Sequence, residues 1–267
     1  MCTAIHFGNF FGRTLDLECS FGEEVVVMPR GSRLSFIYEG ERSTKHKIIG
    51  TAHLRGCEPL FYDAINEAGV GVAALNFPKY ALYRSKKGKS LNLASFEVIS
   101  YILSECDSVS AAKEILAATN VTDDDYGGGL NATPLHWMIA DKNESIVFES
   151  TKDGCKVYDN PYGVITNAPS FEYQITRLSD FMQLVPSEPE NLLVPRAEIK
   201  PYSRGMGAVG LPGDYSSSSR FIRAVFVKEN TILPEGEEIE GFFHVMDSVS
   251  VPLGCIRTDK GEPVSTL

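Results

Sequence analysis

Strand patterns occur in groups along this 267-residue chain, and the grouping limits the folds open to it. Short runs rich in β-branched and aromatic residues, bounded by turn residues, fill the first half of the chain. The predicted strands are residues 3–7, 10–15, 25–28, 34–38 and 70–75, followed later by 135–140, 145–149 and 163–166. Strands and helices that cluster rather than alternate predict antiparallel sheets packed on each other with helices outside, an α+β fold.

Helical periodicity follows the first group of strands. Phe96, Ile99, Leu103 and Cys106 fall on one face, and Asp107 or Ser108 is placed to cap a second helix that runs through Leu116. Further helices are predicted at residues 171–182, 220–228 and 239–249, and a long surface loop at 186–204. Gly8-Asn9 is a two-residue turn signal that predicts a hairpin at the N-terminus.

Composition excludes several classes of function. Hydrophobic residues make up 43% of the chain and charged residues 22%, which is typical of a globular protein. The net charge is -10, and the short stretch Lys86, Lys87, Lys89 is the longest basic cluster, so nucleic acid is not an expected partner. The sequence shows neither a secretory signal nor a bilayer-spanning apolar run, and we expect a cytoplasmic protein without a membrane partner.

The cysteines and histidines do not form a recognisable metal site. The six cysteines are scattered without a C-x-x-C pair, and apart from Cys2 each is expected to be a buried, inert thiol. The histidines lack zinc-type spacing. Residues 205–210 match the dinucleotide pattern G-x-G-x-x-G, but Pro212 follows where that motif requires a helix. No metal or cofactor is predicted.

Cys2 follows the initiator methionine, and a small residue there permits removal of Met1. Removal would leave a thiol and a free α-amine on one residue. The α-amine has a reference pKa of about 7.7 to 8, so it can accept the thiol proton directly or through one water. The thiolate is the attacking species in acyl transfer. Cys2 is therefore the candidate nucleophile; the alternative is a chain terminus without a role.

Arg13 and Asp16 are the candidate partners of Cys2. The predicted hairpin folds the strand that contains Arg13 back beside Cys2, where a cation raises the thiolate population. Asp16 can hold the amine by a charge-assisted hydrogen bond. On spacing alone, Arg13 and Asp16 are equally compatible with a surface ion pair.

A set of short segments occurs in one order along the chain. They are Met1-Cys2-Thr3-Ala4, Phe11-Gly12-Arg13-Thr14-Leu15-Asp16, Asn66-Glu67-Ala68-Gly69, Leu75-Asn76-Phe77-Pro78, Leu135-His136-Trp137-Met138-Ile139, Val164-Ile165-Thr166-Asn167, Gly210-Leu211-Pro212-Gly213-Asp214 and Ser219-Arg220-Phe221-Ile222-Arg223. Together they resemble the choloylglycine hydrolase family, which contains bile salt hydrolases and penicillin V acylases. The resemblance implies the N-terminal nucleophile hydrolase sandwich, a four-layer αββα fold with two stacked antiparallel sheets between helical layers.

The resemblance also implies roles for individual residues. Cys2 resembles the nucleophile, Arg13 the cation beside its sulfur, and Asp16 the carboxylate on the α-amine. Asn76 resembles the buried side-chain donor of the oxyanion hole, and Asn167 a second amide that orients the terminal residue and the substrate. Arg220 resembles the arginine that completes the polar cluster. On pattern alone, Asn76 is also compatible with a strand end, Asn167 with a turn, and Arg220 with a charge on a helix surface.

Position 76 bears on the substrate. Asn there is similar to bile salt hydrolases, whereas several penicillin V acylases have Tyr, so bile salts conjugated to glycine or taurine are the favoured substrates. Leu15, Phe61 and Tyr62 align with groove-lining segments, although core packing is the alternative for each. The alternative enzyme is a penicillin V or N-acyl-homoserine lactone acylase with the same catalytic residues. Family members are often tetrameric, so a homo-oligomer is expected.

The length of the chain is the one departure from the family pattern. Members usually continue for several strands beyond the region that resembles residues 249–267. We therefore expect a single domain over residues 2–267, truncated at its C-terminal end. A truncated, non-catalytic remnant is the alternative that is not an enzyme.

Overall fold

The structure, a computed structural model, describes residues 1–56, 58–88, 90–127 and 131–266. The strands are β1 Cys2–Phe7, β2 Phe10–Leu17, β3 Glu23–Met28, β4 Arg33–Phe36, β5 Gly40–Ser43, β6 Ile48–Arg55, β7 Glu58–Asn66, β8 Gly71–Asn76, β9 Leu91–Ala94, β10 Thr119–Thr122, β11 Leu135–Ala140, β12 Ser145–Thr151, β13 Gly154–Asp159, β14 Val164–Ile165, β15 Ile256–Arg257 and β16 Pro263–Thr266. The helices are α1 Val98–Glu105, α2 Val109–Ala117, α3 Phe171–Leu178, α4 Ser217–Asn230 and α5 Glu238–Asp247.

Two large sheets face each other at the centre of the molecule. One has five strands in the order β14-β1-β2-β16-β15, and the other has seven in the order β13-β12-β11-β8-β7-β6-β3. Every pairing within these sheets is antiparallel. The sheets approach closely where the ring of Phe11 lies against Gly71, since a Cβ at Gly71 would come within 2.7 Å of that ring.

Helices cover the outer face of each sheet. α1 packs on β7 and β8, and α2 packs on β12 and β13. On the other side α4 packs on β1 and β14, α5 on β2, and α3 on α4. Alternate residues of β8 separate the two cores: Val72 and Ala74 belong to the core under α1 and α2, whereas Ala73 and Leu75 belong to the core around β1 and α4. These layers confirm the expected αββα sandwich.

Most predicted elements are present. The hairpin forms at Gly8-Asn9, with Phe7 opposite Phe10. The hydroxyl of Ser108 accepts a hydrogen bond from the backbone N–H of Ala111, which identifies Ser108 as the N-cap of α2. The helix predicted at residues 171–182 ends at Leu178 and continues as a 3-10 turn over Ser179–Phe181. Residues 186–204 contain no helix or strand. Among the described residues, no helix is both long enough and apolar enough to span a bilayer.

Two expectations need correction. Strands β5, β6, β7, β9, β10, β13, β15 and β16 were not predicted; β6 and β7, the longest of them, lack clean alternation, and their pairing is interrupted by a bulge. The cysteines are not uniformly buried: Cys106 is, but Cys19 and Cys255 are exposed and Cys155 is half-buried, since they lie in loops or on an edge strand. Cys57 lies outside the described residues.

Candidate active site

The hairpin register brings Cys2 and Arg13 to one face of the five-stranded sheet. Cys2 lies opposite Leu15, and Ala4 lies opposite Arg13. Because side chains alternate along a strand, Cys2, Arg13 and Leu15 point to the same side. All three line a cavity of about 380 Å³ at the end of the sheets. The cysteine is 2% exposed, so its thiol is reached through this cavity.

The cavity has an apolar wall and a polar rim. Leu15, Phe61 and Tyr62, the predicted groove residues, all line it. Further apolar lining comes from Leu17, Phe21, Leu60, Ala74, Phe96, Ile99 and Leu135, and polar lining from Glu18, His53, Asn76, Ser95, Tyr126, Asn131 and Thr133. Its volume lies within the range of about 300 to 1,000 Å³ that is typical of small-molecule sites.

Arg13 is held beside Cys2 by the neighbouring sheet. Its side chain is 5% exposed, and Nη1 lies 3.6 Å from Oδ2 of Asp63 on β7. Nη1 also donates to the carbonyl of Tyr62 at 3.4 Å. This carbonyl is available because a bulge shifts the β6–β7 register between Thr51 and Ala52, leaving Tyr62 without a partner in the ladder.

Asp63 is a site residue that sequence analysis missed. Burial raises the pKa of the Asp63 carboxyl, and the charge of Arg13 and hydrogen bonds from Thr51 oppose that rise only in part. The sequence places Asp63 in a segment without a recognisable motif, and its contact with Arg13 depends on the stacking of two sheets. No local signal could have found it.

Asn167 is hydrogen-bonded both to the start of the chain and to α4. Its Oδ1 accepts the backbone N–H of Cys2 at 2.8 Å and Nη2 of Arg220 at 2.7 Å. Its Nδ2 donates to the backbone carbonyl of Asn76 at 2.8 Å, and its own N–H donates to the hydroxyl of Ser217 at 2.9 Å. Three of these bonds are made by the side-chain amide, and they leave it little freedom to rotate.

Arg220 is completely buried, although it lies on a helix. Its Nη1 donates to the carbonyl of Cys2 at 2.6 Å and to the hydroxyl of Thr3 at 2.5 Å. Its Nε donates to the carbonyl of Tyr215 at 3.0 Å. Burial lowers the pKa of Arg220, and the nearby carboxylate of Asp16, 3.9 Å away, opposes this. The helix-surface alternative for Arg220 is therefore wrong.

Asp16 lies on the other face of the hairpin from the thiol of Cys2. Its carboxylate accepts the hydroxyl of Thr14 at 3.2 Å and that of Thr266 at 2.6 Å. With Met1 in place, the terminal ammonium donates to the carbonyl of Asp16 at 2.6 Å, and the nitrogen of Cys2 is bound by Asn167. Asp16 is therefore connected to Cys2 indirectly, through the side chain of Arg220 and through the backbone of residue 1.

Asn76 ends β8 opposite Leu135. Its side chain is exposed at the cavity wall rather than buried, contrary to the expectation of a buried amide. The difference arises because β8 stops at the cavity, where the sheet no longer covers it. An exposed amide at this place can reach a ligand directly. In the described part of the chain, no group of three His, Cys, Asp or Glu residues could hold a metal ion.

Comparison with known proteins identifies the family. The sequence model of linear amide C-N hydrolases, choloylglycine hydrolase family, matches residues 2–267. The chain is 40% identical to a bile salt hydrolase/transferase from Lactiplantibacillus plantarum over 98% of this chain and 82% of the relative. It is 33% identical to a conjugated bile acid hydrolase from Lactobacillus gasseri over 100% of this chain and 87% of the relative.

Solved structures agree with these matches. The C2A variant of the conjugated bile acid hydrolase from Clostridium perfringens superposes with a TM-score of 0.89 at 31% identity, covering 100% of this chain and 84% of that chain. A penicillin V acylase from Agrobacterium tumefaciens has a TM-score of 0.73 at 23% identity, covering 100% of this chain and 77% of that chain, and so shares the fold. The chain therefore belongs to the choloylglycine hydrolase family and is a hydrolase of linear amide C-N bonds.

Proposed function

We propose that this protein hydrolyses the amide bond of bile salts conjugated to glycine or taurine, with Cys2 as the nucleophile after removal of Met1. One observation carries the proposal. The Cys2 nitrogen is bound to Asn167 while its side chain lines a mostly apolar cavity that also contains Arg13. A thiol and a nitrogen that becomes an amine are thus fixed at the wall of a cavity that can receive a rigid apolar acyl group.

The first half of the reaction forms an acyl-thioester. The α-amine takes the thiol proton, and Sγ of Cys2 attacks the amide carbonyl carbon. The negative charge of the tetrahedral intermediate falls on one oxygen, and a fixed amide N–H stabilises it by about 3 to 4 kcal/mol. The side chain of Asn76, exposed at the cavity wall, supplies this donor. The amine returns its proton to the leaving nitrogen, so the C–N bond breaks and glycine or taurine departs.

The second half regenerates the thiol. Water attacks the thioester carbonyl while the α-amine accepts one water proton, the C–S bond breaks to release the bile acid, and the amine returns that proton to the thiolate. Arg13, inside the same cavity, stabilises the departing thiolate. Asn167 and Arg220 keep the Cys2 backbone in place through both halves. Asp16 supplies the buried negative charge that offsets Arg220.

The substrate class rests on the cavity and on the relatives. A steroid acyl group requires an apolar wall beside the nucleophile, and Leu15, Phe61 and Tyr62 provide one. The relatives named above act on bile salts or conjugated bile acids according to their names. We also propose a homo-oligomer, on the family resemblance alone, and a cytoplasmic location, on the sequence features discussed above.

Release of glycine or taurine from glycocholate and taurocholate tests the proposal. Wild type is expected to release the amino acid, and Cys2→Ala is expected to lose the activity because, among the described residues that line the cavity, only Cys2 has a thiol. Cys255→Ala, which removes an exposed thiol elsewhere, is the matched control and should retain full activity. Intact mass should show a chain that begins at Cys2.

Three kinds of observed activity would contradict the proposal, and so would a complete lack of activity. They are full activity in Cys2→Ala, turnover by a chain that retains Met1, and cleavage of penicillin V or an N-acyl-homoserine lactone with no action on either bile salt. The third result would favour an acylase with the same machinery. A chain without activity on any of these amides would instead be a non-catalytic remnant.

A further inference from the structure

A buried histidine and a buried glutamate lie directly behind the two active-site amides. His136 on β11 and Glu149 on β12 are 1% and 0% exposed, and Nδ1 of the histidine is 3.1 Å from Oε1 of the glutamate. Neither side chain reaches the cavity, so neither can touch the substrate. A buried contact between two polar side chains is weak evidence for stability, because desolvation offsets most of its attraction.

The partners of the histidine indicate what the pair does. Nε2 of His136 is 2.7 Å from the carbonyl of Thr166, the residue before Asn167. A carbonyl can only accept, so Nε2 must carry a hydrogen. The histidine therefore fixes the peptide plane from which the Asn167 side chain reaches the nitrogen of Cys2.

The same ring also contacts the strand end that carries Asn76. The rings of His136 and Phe77 are stacked, with centroids 4.2 Å apart and planes 7° from parallel. Phe77 is the neighbour of Asn76, whose carbonyl accepts Nδ2 of Asn167. One imidazole thus contacts the segments of both site amides, one through a hydrogen bond and the other through a ring face.

Glu149 extends this support to α3. Its Oε1 accepts the backbone N–H of Phe171, the first residue of the helix, at 3.0 Å. Gln174, one turn later, donates to the carbonyl of Asn167 at 3.5 Å and to the hydroxyl of Ser217 at 3.3 Å. The glutamate therefore sets the position of a helix that contacts Asn167 from its other side.

From these contacts we infer that His136 and Glu149 form a positioning dyad for the hydrolytic site, holding the amide of Asn167 against the nitrogen of Cys2 and in register with Asn76. The inference rests on the proposed function and adds two positioning residues to it. The dyad acts through the Thr166 carbonyl, the Phe77 ring and the start of α3, not on the substrate.

The first test is His136→Phe, which preserves the aromatic stack on Phe77 but removes both ring nitrogens. We expect kcat on glycocholate to fall by about 100-fold, because a displacement of about 1 Å in a catalytic group has that effect. KM should change by less than about threefold, since the groove is not altered. Trp137→Phe is the matched control: Trp137 is the next residue on β11 and is fully buried, but it packs in the core under α1 and α2.

The second test is Glu149→Gln, which retains the shape but not the charge. Oε1 of Glu149 lies 3.1 Å from Nδ1 of His136 and also accepts the backbone N–H of Phe171. With a glutamine at position 149, the atom at this place is either an oxygen that accepts from Phe171 or an NH2 group that donates to the ring, so one of the two contacts is weakened. We therefore expect kcat on glycocholate to fall relative to wild type, while KM changes by less than about threefold.

Crystal structures supply a readout that does not need turnover. In His136→Phe, Oδ1 of Asn167 should move out of hydrogen-bond distance of the Cys2 nitrogen. The inference is overturned if this bond persists, if kcat stays within about twofold of wild type, or if Trp137→Phe loses as much activity. If wild type itself cleaves none of the amides, the proposed function fails, and the dyad is then judged on the position of Asn167 alone.

Discussion

Single residues in this site are stabilised by partners far away in sequence. Arg220 is separated by more than 200 positions from Cys2, yet it donates to the Cys2 carbonyl. Removing one member of a buried charged pair typically costs about 3 to 5 kcal/mol, because the other charge is left uncompensated. Arg220 and Asp16 therefore stabilise the strand that contains Cys2, in addition to any part they have in the reaction.

Asp63 presents the opposite balance, in which a residue that positions the site weakens the fold. Burial raises the pKa of its carboxyl above the value in the unfolded chain. The sign follows from proton linkage: stability from Asp63 is present below its unfolded pKa and is lost as the pH rises through the folded pKa. At neutral pH the ionised carboxylate therefore reduces the free energy of unfolding while it holds Arg13.

Asp63→Asn should separate these effects. We expect unfolding stability equal to or above that of wild type at pH 7, with the difference vanishing below about pH 4. We expect kcat at pH 7 to fall by about tenfold, equivalent to about 1.4 kcal/mol, because Arg13 loses the charge that holds it beside Cys2. Urea unfolding at several pH values and kcat on glycocholate measure the two quantities.

Asp159→Asn is the control for this substitution. It removes an exposed aspartate on β13, an edge strand of the same sheet, that pairs with Lys113, a kind of ion pair worth about 0 to 1 kcal/mol. It should leave kcat unchanged. A strongly destabilised Asp63→Asn with normal kcat would show that the Arg13–Asp63 contact is structural only.

The residue-scale predictions from sequence depended on short motifs. The hairpin turn correctly placed Arg13 on the face of Cys2, because a two-residue turn fixes the register of both strands. The burial of Arg220 and the role of Asp63 could not be predicted in the same way. Both depend on which sheet or helix lies above the hairpin, and no local pattern specifies that.

At the scale of elements, the start of α4 holds Ser217 and Arg220 in place, and it is stabilised by a carboxylate near the protein surface. Asp214 accepts the N–H of Ser216 at 2.8 Å and the hydroxyl of Ser219 at 2.6 Å, just before the turn that carries Arg220. These hydrogen bonds lower the pKa of Asp214 to about 2. The carboxylate thus anchors a helix end that presents Ser217 and Arg220 to Asn167.

Asp214→Ala should destabilise the protein by about 1 kcal/mol at pH 7, because it removes two hydrogen bonds to a charged acceptor at a solvent-exposed site. Since the folded pKa is lowered, this contribution is present above the unfolded pKa of about 4 and is lost as the pH falls toward 2. Thermal unfolding of both proteins between pH 7 and pH 3 measures the trend.

Asp259→Ala, in the exposed turn between β15 and β16, serves as the comparison. It should show no such pH-dependent difference. A stability gap between wild type and Asp214→Ala that stays constant as the pH falls would mean that the charge of Asp214 does not anchor α4.

Elements with strong local signals were predictable, and those without them were not. The helix capped by Ser108 and the strands bounded by Gly, Asn or Pro follow from local chemistry. β6 and β7 pair over most of their length, and the bulge at Tyr62 interrupts the pairing. The two faces of these strands lie in different surroundings, so their sequences do not show a simple alternation of apolar and polar residues. The parallel pair β9 and β10 is separated by α1 and α2, and its pairing depends on how those helices pack.

At the scale of the whole molecule, the site exists because two sheets stack with a fixed spacing. Cys2 and Arg13 come from the five-stranded sheet, whereas Asn76 and Asp63 come from the seven-stranded sheet. Phe11, two residues before Arg13, contacts Gly71 at the start of the strand that ends in Asn76. This contact therefore sets the distance between the two halves of the site.

Gly71→Ala should push the sheets apart. The added methyl would meet the Phe11 ring at 2.7 Å, and overpacking of this kind costs about 1 to 3 kcal/mol. Gly213→Ala, where the methyl meets nothing within 4 Å, should leave stability unchanged or slightly higher. Combining Gly71→Ala with Phe11→Leu should restore part of the loss, because the smaller side chain makes room. Urea unfolding of wild type, Gly71→Ala, Phe11→Leu and the double variant gives the coupling energy between the two positions. A coupling near zero would mean that the contact does not set the spacing; a favourable coupling with recovery of kcat would tie the sheet spacing directly to the alignment of Cys2 with Asn76.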